Sequence, residues 1–303
     1  MKISIIIPTK DRPDELKKCL TAILSQTEKI SQIIIVDSSF SNGTNNLINE
    51  LKLTHPELEY LRSDPGLTLQ RNKGINSTAK DTEMICFFDD DTELTDHYLK
   101  TVADRFNSPE SDIVGITGNV INEKRKPFPE RIFRNIFLIA DYKNSRILPS
   151  GDAGHVHEPG EDLEVAVLSG CNMCFRSDLF FRHNLLFDQL LGGYSYMEDQ
   201  DFSIRASKYG KLLQLRDAEL VHYTSPVSRI KLKEMMQTYI INSFYLLRKN
   251  LSPDFFNYLC YFWRLTGKLI HSIYLSISNM SIGPLTGWII GICRINNLSK
   301  KLK

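Results

Sequence analysis

The sequence predicts an α/β protein with a mixed, mostly parallel central sheet flanked by helices, and with a helical C-terminal extension. Short β-branched runs alternate with amphipathic helical patterns over the first 120 residues, and this alternation is typical of βαβ units. Acidic or polar loops follow the predicted strands, and open α/β sheets bind their ligands at that position. Residues 229–303 are mostly helical in pattern and rich in aromatic and basic side chains.

Four strands and three helices are expected in the first part of the chain. Pro8 ends the first strand, and Pro13 and Asp14 open the first helix, whose apolar positions recur at helical spacing. A cluster of turn formers, DSSFSNGT, separates the second strand from the second helix. In chain order we expect a strand at 3–7, a helix at 15–25, a strand at 33–36, a helix at 47–53, a strand at 58–61, a loop running into a helix at 66–79 and a strand at 84–88.

The second part of the chain is less regular. Residues 120–165 are rich in proline, glycine and charge, so we expect long loops there, lying over the site. A strand-like run at 166–177, a helix from about Glu198, two strands within 212–223 and a helix at 229–250 follow. We therefore divide the chain into an α/β domain at 1–228, in which the pattern changes at about residue 120, and a helical extension at 229–303.

Charge is distributed unevenly along the chain. The formal net charge is only +1, but residues 229–303 carry eleven lysines and arginines against two acidic residues. A basic, aromatic-rich segment suits a helix that lies in a lipid headgroup layer, so we expect peripheral contact with a membrane. Packing of this segment on the catalytic body is the alternative. A nucleic-acid partner is not expected, because the basic residues avoid the α/β body.

We expect a cytoplasmic protein without a membrane span. The six cysteines have no regular spacing, which favours reduced thiols. Cys171 and Cys174 form a CxxC motif, but no second cysteine or histidine pair lies nearby, so buried thiols are expected rather than a zinc site. The apolar run near the amino terminus is five residues long and ends at Pro8, which is too short for a signal peptide or a spanning helix.

Three consecutive aspartates follow a predicted buried strand in the segment CFFDDDTEL. Neighbouring carboxylates repel one another, and at the edge of a core they lose hydration unless a cation or hydrogen-bond donors replace the water. A solvated loop that caps the next helix would account for them structurally, whereas the spacing of an EF-hand is absent. A site for Mg²⁺ or Mn²⁺ and a phosphorylated substrate also fits, because these ions prefer hard oxygen ligands and keep positions open for phosphate.

Five motifs resemble those of the family-two glycosyltransferases and occur in the family's order. The motifs are IIIPTKDRPDELKKCLTAILSQ, IIIVDSSFSNGT, GLTLQRNKGIN, CFFDDDTEL and GGYSYMEDQDFSIRASKYG, and the resemblance covers residues 3–250. It implies the GT-A fold and a metal-dependent, inverting transfer of a sugar from a nucleotide-sugar donor, a UDP- or dTDP-sugar, to a hydroxyl group. It also implies a saccharide or lipid-linked acceptor, a role in cell-surface polysaccharide synthesis and attachment to the inner face of the cytoplasmic membrane. By the same resemblance, the α/β domain at 1–228 is a catalytic domain with a nucleotide-binding half at about 1–120 and an acceptor half at about 121–228.

The resemblance further implies a nucleotide site in the first half of the sheet. It assigns Thr9, Asp11 and Asp37 to the base and ribose, and Arg71 and Asn72 to a second contact with the nucleotide. Many family members carry another acid directly after the position of Asp37, and this chain has a serine there, so the identity of the base stays open. An arginine fork at position 71 could also reach a phosphate, and a surface salt bridge is the alternative for it.

The same resemblance assigns the three aspartates and one histidine to the donor diphosphate and its metal. Asp89 would face the nucleotide and the metal, Asp91 would be the main metal ligand, and Asp90 is assigned to nucleotide binding. His222, in the segment LVHY, resembles a histidine that closes the metal site in some members, although a histidine after a strand is often structural. A divalent ion is needed because transfer expels a nucleoside diphosphate, on which negative charge develops.

A second acidic cluster, MEDQD, contains Glu198, Asp199 and Asp201. The resemblance assigns the general base to Asp199, which would take the proton of the acceptor hydroxyl, an effect worth about 10²- to 10⁴-fold in rate. Glu198 and Asp201 would orient the acceptor or the base. Enrichment of acids in the first turn of a helix, caused by the helix dipole, is the alternative. One base without an enzymic nucleophile favours inversion over a double displacement.

Two other classes of function compete with glycosyl transfer. A nucleotidyltransferase shares the sheet and the metal acids, but it usually carries a glycine-rich loop after the first strand, and IIIPTKDRPD contains no glycine. A nucleotide-binding or membrane-associated scaffold that has lost catalysis is the second class. The presence of both Asp91 and Asp199 argues against it.

Overall fold

The computed structural model describes residues 1–108, 112–140, 145–154, 156–192, 194–225, 230–251 and 253–302. The chain forms two compact units, which we term the sheet unit (Met1–Lys124 and His157–Arg229) and the helical unit (Arg125–Val156 and Ile230–Lys303). The segment Arg125–Val156, assigned from the sequence to the acceptor half, clusters with the C-terminal helices. The division into domains at residue 228 stays a prediction.

Strands and helices alternate along the first part of the chain, as the sequence predicts. The elements in chain order are β1 (Ile3–Thr9), α1 (Pro13–Leu24), β2 (Gln32–Asp37), α2 (Gly43–Leu51), β3 (Leu58–Arg62), α3 (Leu67–Ser77), β4 (Met84–Phe88), β5 (Thr92–Leu94), α4 (Tyr98–Phe106), β6 (Ile113–Val120), α5 (Phe128–Ile136), β7 (Leu163–Glu164), β8 (Asn172–Arg176), α6 (Asp178–Phe181), α7 (Glu198–Ala206), β9 (Lys211–His222), α8 (Leu232–Asn250), α9 (Phe255–Ser278), α10 (Gly283–Cys293) and a 3-10 helix at Ser299–Leu302. All seven elements predicted up to residue 88 are present, within four residues of the expected bounds.

One mixed sheet forms the centre of the sheet unit. Its strand order is β3-β2-β1-β4-β8-β6-β9-β5, with β7 paired to β9. β3, β2, β1 and β4 run parallel, β6 is parallel to β9, and β8 is antiparallel to both of its neighbours. The predicted α/β class is therefore confirmed. Because β1 and β4 are neighbours and parallel, their carboxyl ends bring Thr9 and residues 89–91 to the same edge of the sheet.

Two predictions for the second part of the chain are wrong. The loops predicted over 120–165 are interrupted by α5, because Pro127 and Pro129 stand at the start of this helix, where a backbone N–H is not needed for helical bonding. The segment 212–223, predicted as two strands, is the single strand β9. Its exposed Arg216 and Asp217 lie at a shift in the register with β6, which indicates a bulge and not a turn.

α3 lies close against the sheet because of one glycine. A Cβ on Gly74 would stand 2.5 Å from Cγ2 of Ile6 in β1, so a larger residue could not approach the strand this closely. The neighbouring turn of α3 carries Arg71 and Asn72, and both are buried. The close packing of α3 therefore sets the depth at which these two polar side chains enter the molecule.

The helical unit contains α5, α8, α9, α10 and the 3-10 helix. α10 packs against α8 and α9. α9 begins with a capping box, in which the Asp254 side chain accepts from the Asn257 amide and the Asn257 side chain accepts from the Asp254 amide. None of the helices in the described ranges combines the length and the apolar character that a bilayer crossing requires.

Candidate active site

Three possible metal ligands meet near the ends of β4 and β9. One ligand atom from each of Asp89, Asp91 and His222 lies within 4.8 Å of the other two. β5 pairs with β9 in a register that sets Thr92 opposite His222, so the histidine is held beside the aspartates. Two carboxylate oxygens and one imidazole nitrogen suit Mn²⁺, and the carboxylate oxygens also suit Mg²⁺. The residues present therefore fit either predicted ion.

Asp91 is tightly held. Its Oδ1 lies 3.1 Å from Nε2 of His222, its Oδ2 accepts from the Ser225 amide at 2.6 Å, and Nη1 of Arg12 lies 3.6 Å from Oδ2. Burial raises the pKa of Asp91, but the hydrogen bonds from His222 and Ser225 outweigh burial and hold that pKa below its ordinary value. Burial lowers the pKa of His222, but the neighbouring Asp91 and other groups raise it to about 11. A cation bound to this histidine must therefore displace a proton.

Asp90 points into the protein. Its two carboxylate oxygens accept from Oγ1 of Thr9 at 2.7 Å and from Nη1 of Arg12 at 2.9 Å. The residue is 3% exposed, and burial raises its pKa to about 6. Asp90 thus ties the loop after β4 to β1, and the nucleotide contacts assigned to Thr9 and Asp90 stay predictions. Sequence reasoning missed Arg12, although a basic residue in the loop after the first strand was a visible signal.

Arg71 links the possible metal ligands to the second acidic cluster. Its guanidinium donates to Oε1 of Glu198 at 2.6 Å and to the Gly170 carbonyl at 2.8 Å, and it lies 3.5 Å from Oδ1 of Asp89. Its Nε has no hydrogen-bond partner among the described residues. Arg71 is only 1% exposed, so the alternative of a surface salt bridge is wrong. Its assigned contact with the nucleotide stays a prediction.

Asn72 holds the loop before α7. Its Nδ2 donates to the Phe187 carbonyl at 2.8 Å, and its Oδ1 accepts from the Phe187 amide at 2.8 Å. The Phe187 ring in turn lies against the Arg71 guanidinium, 5.1 Å from the ring centroid. Both polar groups of the Asn72 side chain are thus bound within the protein, and its assigned nucleotide contact stays a prediction.

Asp199 stands in the first turn of α7 and is partly exposed. Its Oδ1 accepts from the Gln200 amide at 2.8 Å, and its Oδ2 accepts from the Gly170 amide at 3.2 Å. A carboxylate oxygen has two lone pairs, so each oxygen retains capacity to accept from a hydroxyl group. The geometry is therefore compatible with the general base expected at this position.

Glu198 and Asp201 are turned into the protein. Burial and the nearby charge of Asp199 raise the pKa of Glu198 to about 8, although Arg71 opposes that rise. Asp201 is fully buried, and its Oδ2 accepts from Nε and Nη2 of Arg205 at 3.0 and 2.7 Å. The geometry gives Glu198 a direct contact with Arg71 and gives Asp201 an ion pair within α7. Their assigned role in orienting the acceptor or the base stays a prediction.

The loop before β8 touches both acidic clusters. A Cβ on Gly170 would lie 3.1 Å from Oδ2 of Asp199 and 3.3 Å from Oε1 of Glu198, and the Cys171 carbonyl accepts from the Asp89 amide at 3.1 Å. Cys171 and Cys174 are free and buried, as expected. The loop therefore contacts the backbone of Asp89 on one side and the side chains of Glu198 and Asp199 on the other.

Asp37, at the end of β2, is fully buried. It accepts from the Ser39 amide at 2.8 Å, from the Tyr60 hydroxyl at 2.8 Å and from Nη1 of Arg62 at 3.2 Å. The Asp37 carboxylate is thus hydrogen-bonded by three residues of the sheet unit. The assigned contact of Asp37 with the nucleotide stays a prediction.

An open cavity of about 350 Å³ lies beside Asp37, and its lining residues include Ser38, Ser39, Phe40, Arg62, Asp64 and Lys73. Asp11 borders this region, since its Oδ1 accepts from the Phe40 amide at 3.0 Å. The Phe40 ring is 82% exposed, with Nζ of Lys10 5.1 Å from its centroid. The cavity thus offers an aromatic ring, hydroxyl groups and cations on the surface. Sequence reasoning missed Phe40 and Arg62, because a turn and a strand end carry no chemical motif.

One family model matches more than half of the chain. The model of "Glycosyl transferase family 2" matches residues 4–180. The chain belongs to glycosyl transferase family 2. The resemblance stated from the five sequence motifs is therefore confirmed.

Curated relatives of this family-2 chain are longer than the regions that match it. EpsH of Bacillus subtilis, a putative glycosyltransferase, is 23% identical over 246 residues, which is 78% of this chain and 63% of EpsH. Glycosyltransferase GlyA of Streptococcus pneumoniae is 24% identical over 180 residues, which is 59% of this chain and 25% of GlyA. The chain therefore spans less than two thirds of the length of either relative.

Solved glycosyltransferase structures share the fold of this family-2 chain. TarS 1–349 of Staphylococcus aureus, in complex with UDP-GlcNAc, aligns with a TM-score of 0.63 at 16% identity over 98% of this chain and 81% of that chain. The mannosyltransferase PcManGT of Pyrobaculum calidifontis, in complex with GDP-Man and Mn²⁺, aligns with a TM-score of 0.60 at 12% identity over 97% of this chain and 86% of that chain. At these identities the likeness concerns the fold alone, and it confirms the predicted GT-A fold.

Proposed function

We propose that this chain is an inverting, metal-dependent glycosyltransferase that moves a sugar from a nucleotide-sugar donor to an acceptor hydroxyl. The observation that carries the proposal is the position of Arg71, which contacts Asp89 of the metal ligands and Glu198, the neighbour of Asp199. One buried guanidinium therefore lies between two groups. The first group is the set of ligands for a diphosphate-bound cation, and the second is the partly exposed carboxylate of Asp199. Direct displacement by a hydroxyl group requires these two functions at one site.

Asp89, Asp91 and His222 would hold the Mn²⁺ or Mg²⁺ ion. When bound, the ion supplies positive charge to the nucleoside diphosphate that departs. Arg12 pairs with Asp90 and lies 3.6 Å from Asp91, so it adds positive charge at the same edge of the sheet. Its hydrogen bond to Asp90 also fixes the loop that carries the metal ligands.

Asp199 would take the proton of the acceptor hydroxyl as the new glycosidic bond forms. Its backbone donors fix the orientation of the carboxylate, and Arg71 keeps the adjacent Glu198 paired. Because Glu198 is buried and its Oε1 accepts from Arg71, it is a poor candidate for a nucleophile. A single displacement, with inversion at the anomeric carbon, follows from one available carboxylate.

The donor would be a UDP- or dTDP-sugar, bound in the cavity beside Asp37. The exposed Phe40 ring offers a surface for base stacking, and Thr9 and Asp11 lie on the same side of the sheet unit. The TarS complexes with UDP and with UDP-GlcNAc support a uridine nucleotide. PcManGT, which has the same fold, is in complex with GDP-Man, so the fold alone does not favour uracil over guanine.

The acceptor would be a saccharide or a lipid-linked saccharide, in the synthesis of a cell-surface polysaccharide at the inner face of the cytoplasmic membrane. Two relatives support this choice by name. One is poly(ribitol-phosphate) β-N-acetylglucosaminyltransferase TarP of Staphylococcus aureus, 28% identical over 137 residues, and the other is the GalNAc(5)-diNAcBac-PP-undecaprenol β-1,3-glucosyltransferase of Campylobacter jejuni, 27% identical over 117 residues. Their substrates are transferred here only as a proposal, because the chain covers 41% and 37% of them.

A thermal-shift panel with a hydrolysis assay tests the proposal. We expect UDP- or dTDP-sugars to raise the melting temperature only when MnCl₂ or MgCl₂ is present, since a ligand of the folded state stabilises it. Slow metal-dependent release of the nucleoside diphosphate should accompany binding. The Asp91→Asn variant should lose both effects, and Glu93→Gln, which changes an exposed acid two residues away, should keep them.

The same assay separates the competing functions. A nucleotidyltransferase would instead release pyrophosphate from a nucleoside triphosphate and a sugar phosphate. A binding scaffold would show the thermal shift but release no nucleoside diphosphate with any donor and acceptor extract. Either result would reject glycosyl transfer.

A further inference from the structure

α9 carries a continuous apolar stripe on its exposed side. At about 100° per residue, the exposed large apolar residues of this helix fall within an arc of about 120°. They include Phe255, Leu259, Phe262, Ile273, Tyr274 and Ile277, each of which is between 42% and 78% exposed. The stripe runs from the first turn of α9 to the last, a length of about 33 Å.

No charge interrupts this stripe. The charged residues of α9 are Arg264 and Lys268, and helical spacing sets both on the opposite side. Arg264 is fully buried and packs against the rings of Tyr239 and Tyr261, while Nζ of Lys268 lies 3.9 Å from the centroid of the Tyr239 ring. Apolar surface of this extent on a helix is typical of an interaction site.

α5 widens the apolar surface. Phe128, Ile132 and Ile136 recur at intervals of four residues and are 71%, 43% and 56% exposed. α5 contacts α9 where Nε1 of Trp263 donates to the Ile136 carbonyl at 2.7 Å and the Trp263 ring stacks on Phe137, with 4.9 Å between centroids. The exposed apolar residues of α9 and α5 are termed the aromatic face below.

The helical unit that carries the aromatic face is strongly basic. It holds sixteen lysines and arginines against five acidic residues, a net charge of +11, whereas the sheet unit has a net charge of −10. Lys231 and Lys233 are exposed. Lys233 lies against the first turn of α10, since its Cβ is 3.6 Å from a Cβ built on Gly283. That turn follows directly on Ile282, which is 74% exposed, so exposed cations adjoin the C-terminal end of the apolar surface.

We propose that the aromatic face docks on an anionic lipid bilayer, with α9 lying parallel to the membrane plane. Aromatic and aliphatic side chains are stabilised at the boundary of headgroups and acyl chains, and lysine and arginine are attracted to anionic headgroups. A second copy of the chain is the competing occupant, but two helical units, each with a net charge of +11, repel each other. The inference deepens the membrane location proposed above and rests on it, but it does not rest on the chemistry of transfer.

Co-sedimentation of the full chain with vesicles tests the aromatic face. The vesicles contain phosphatidylcholine, with or without phosphatidylglycerol. The triple variant Phe256→Gln, Tyr274→Gln, Ile277→Gln changes positions that are 59%, 64% and 74% exposed, and Leu53→Gln, at an 86% exposed leucine of the sheet unit, is the matched control. We expect the wild type and the control to sediment with anionic vesicles. The partition coefficient of the triple variant should be at least about tenfold lower, because it can transfer three fewer apolar side chains from water into the bilayer.

A second variant and an activity measurement make the test independent of folding and of the transfer reaction. Lys231→Gln with Lys233→Gln leaves the apolar residues unchanged, so it should weaken binding to anionic vesicles only. The metal-dependent release of nucleoside diphosphate, measured without vesicles, should be the same in wild type and triple variant. If release is absent in all proteins but vesicle binding follows the expected pattern, the transfer reaction fails and the membrane face stands.

Three results would overturn the membrane face. The wild type would stay in the supernatant with anionic vesicles, or the triple variant would bind them as the wild type does. The third result is that the wild type is a dimer in gel filtration, the triple variant is a monomer, and neither binds vesicles. That result would assign the aromatic face to contact with a second copy of the chain.

Discussion

Arg71 is a buried charge that serves two acids with different tasks. A guanidinium stays protonated at all accessible pH values and offers donors in a fixed fork, which lets one side chain contact Asp89, Glu198 and the Gly170 carbonyl together. A buried charge is tolerated only when it is paired. The fork therefore makes the position of Asp89 depend on the position of α7, and the position of α7 depend on that of Asp89.

Replacing Arg71 with lysine should disturb both functions of the site. Lysine keeps the charge but not the fork, so at least one of the three contacts of Arg71 is lost. Removing one partner of a buried ion pair costs about 3–5 kcal/mol in free energy of unfolding. Because lysine retains the charge, the loss of stability should be smaller than that. We expect a lower melting temperature, weaker metal-dependent nucleotide binding and slower transfer. Arg205→Lys alters a second arginine–carboxylate pair, formed within α7 with the buried Asp201, and should lower stability alone. Equal effects of the two variants on nucleotide binding would contradict the role of Arg71.

Asp199→Asn should separate donor binding from transfer. The amide keeps the size of the side chain, but it has a single acceptor oxygen, so it can accept from only one of the Gly170 and Gln200 amides. It also cannot take up a proton. We expect the rate of transfer to fall by about 10²- to 10⁴-fold, with an unchanged thermal shift from donor and Mn²⁺. Asp178→Asn, at an exposed acid in the first turn of α6, is the control. Turnover at the wild-type rate by Asp199→Asn would reject the assignment.

Individual residues differ in how far the sequence could predict their surroundings. The acids and His222 stand in recognisable motifs, and the parallel order of strands accounts for their meeting at one edge. The partners of Asp90 and Asn72 could not be predicted, because they depend on the side-chain packing between segments 81 and 115 residues apart. The hydrogen-bond partner of a buried polar side chain is set by the tertiary structure, and a local sequence pattern does not predict it.

At the scale of elements, the predicted bounds are best where hydrophobic periodicity is strong. β1 to β4 and α1 to α3 have apolar runs or faces that are closed by turn formers, and all of them were predicted. α5 was not, because its prolines resemble a loop, and none of its residues is buried. β9 was divided in two, because the polar residues at its bulge resemble a turn. The error at β9 occurs where tertiary pairing outweighs local propensity.

Gly74→Ala should loosen the contact between α3 and β1. The added Cβ would stand 2.5 Å from Ile6 Cγ2 and 3.1 Å from its Cδ1, and overpacking of this kind costs about 1–3 kcal/mol in free energy of unfolding. Because α3 carries Arg71, weaker nucleotide binding should accompany the lower melting temperature. Gly160→Ala is the matched control, since a Cβ there has no neighbour within 4 Å. A melting temperature of Gly74→Ala equal to that of the control would contradict the close packing.

At the scale of the whole molecule, the chain enters the helical unit twice. It leaves the sheet unit after Lys124, returns at His157 and leaves again after Arg229. The two ends of the first excursion are close together, because Nδ1 of His157 lies 3.5 Å from Oε2 of Glu123. The helical unit therefore consists of an internal insertion together with the C-terminal helices, and the charge of the chain is divided between the units in the same way.

A spliced chain should test this organisation more sharply than a truncated one. Truncation after residue 229 leaves Arg125–Val156 without its partner helices, so Phe137, which contacts Gly267 and stacks on Trp263, would be exposed to water, and we expect aggregation in gel filtration. Removing Arg125–Val156 as well, with a short glycine-serine linker from Lys124 to His157, should give a monomer. The spliced chain retains Asp91, His222 and Asp199, so donor and Mn²⁺ should still raise its melting temperature. A truncated chain that is as monomeric as the spliced one would show that the internal segment does not need the C-terminal helices, and the division into two units would then be wrong.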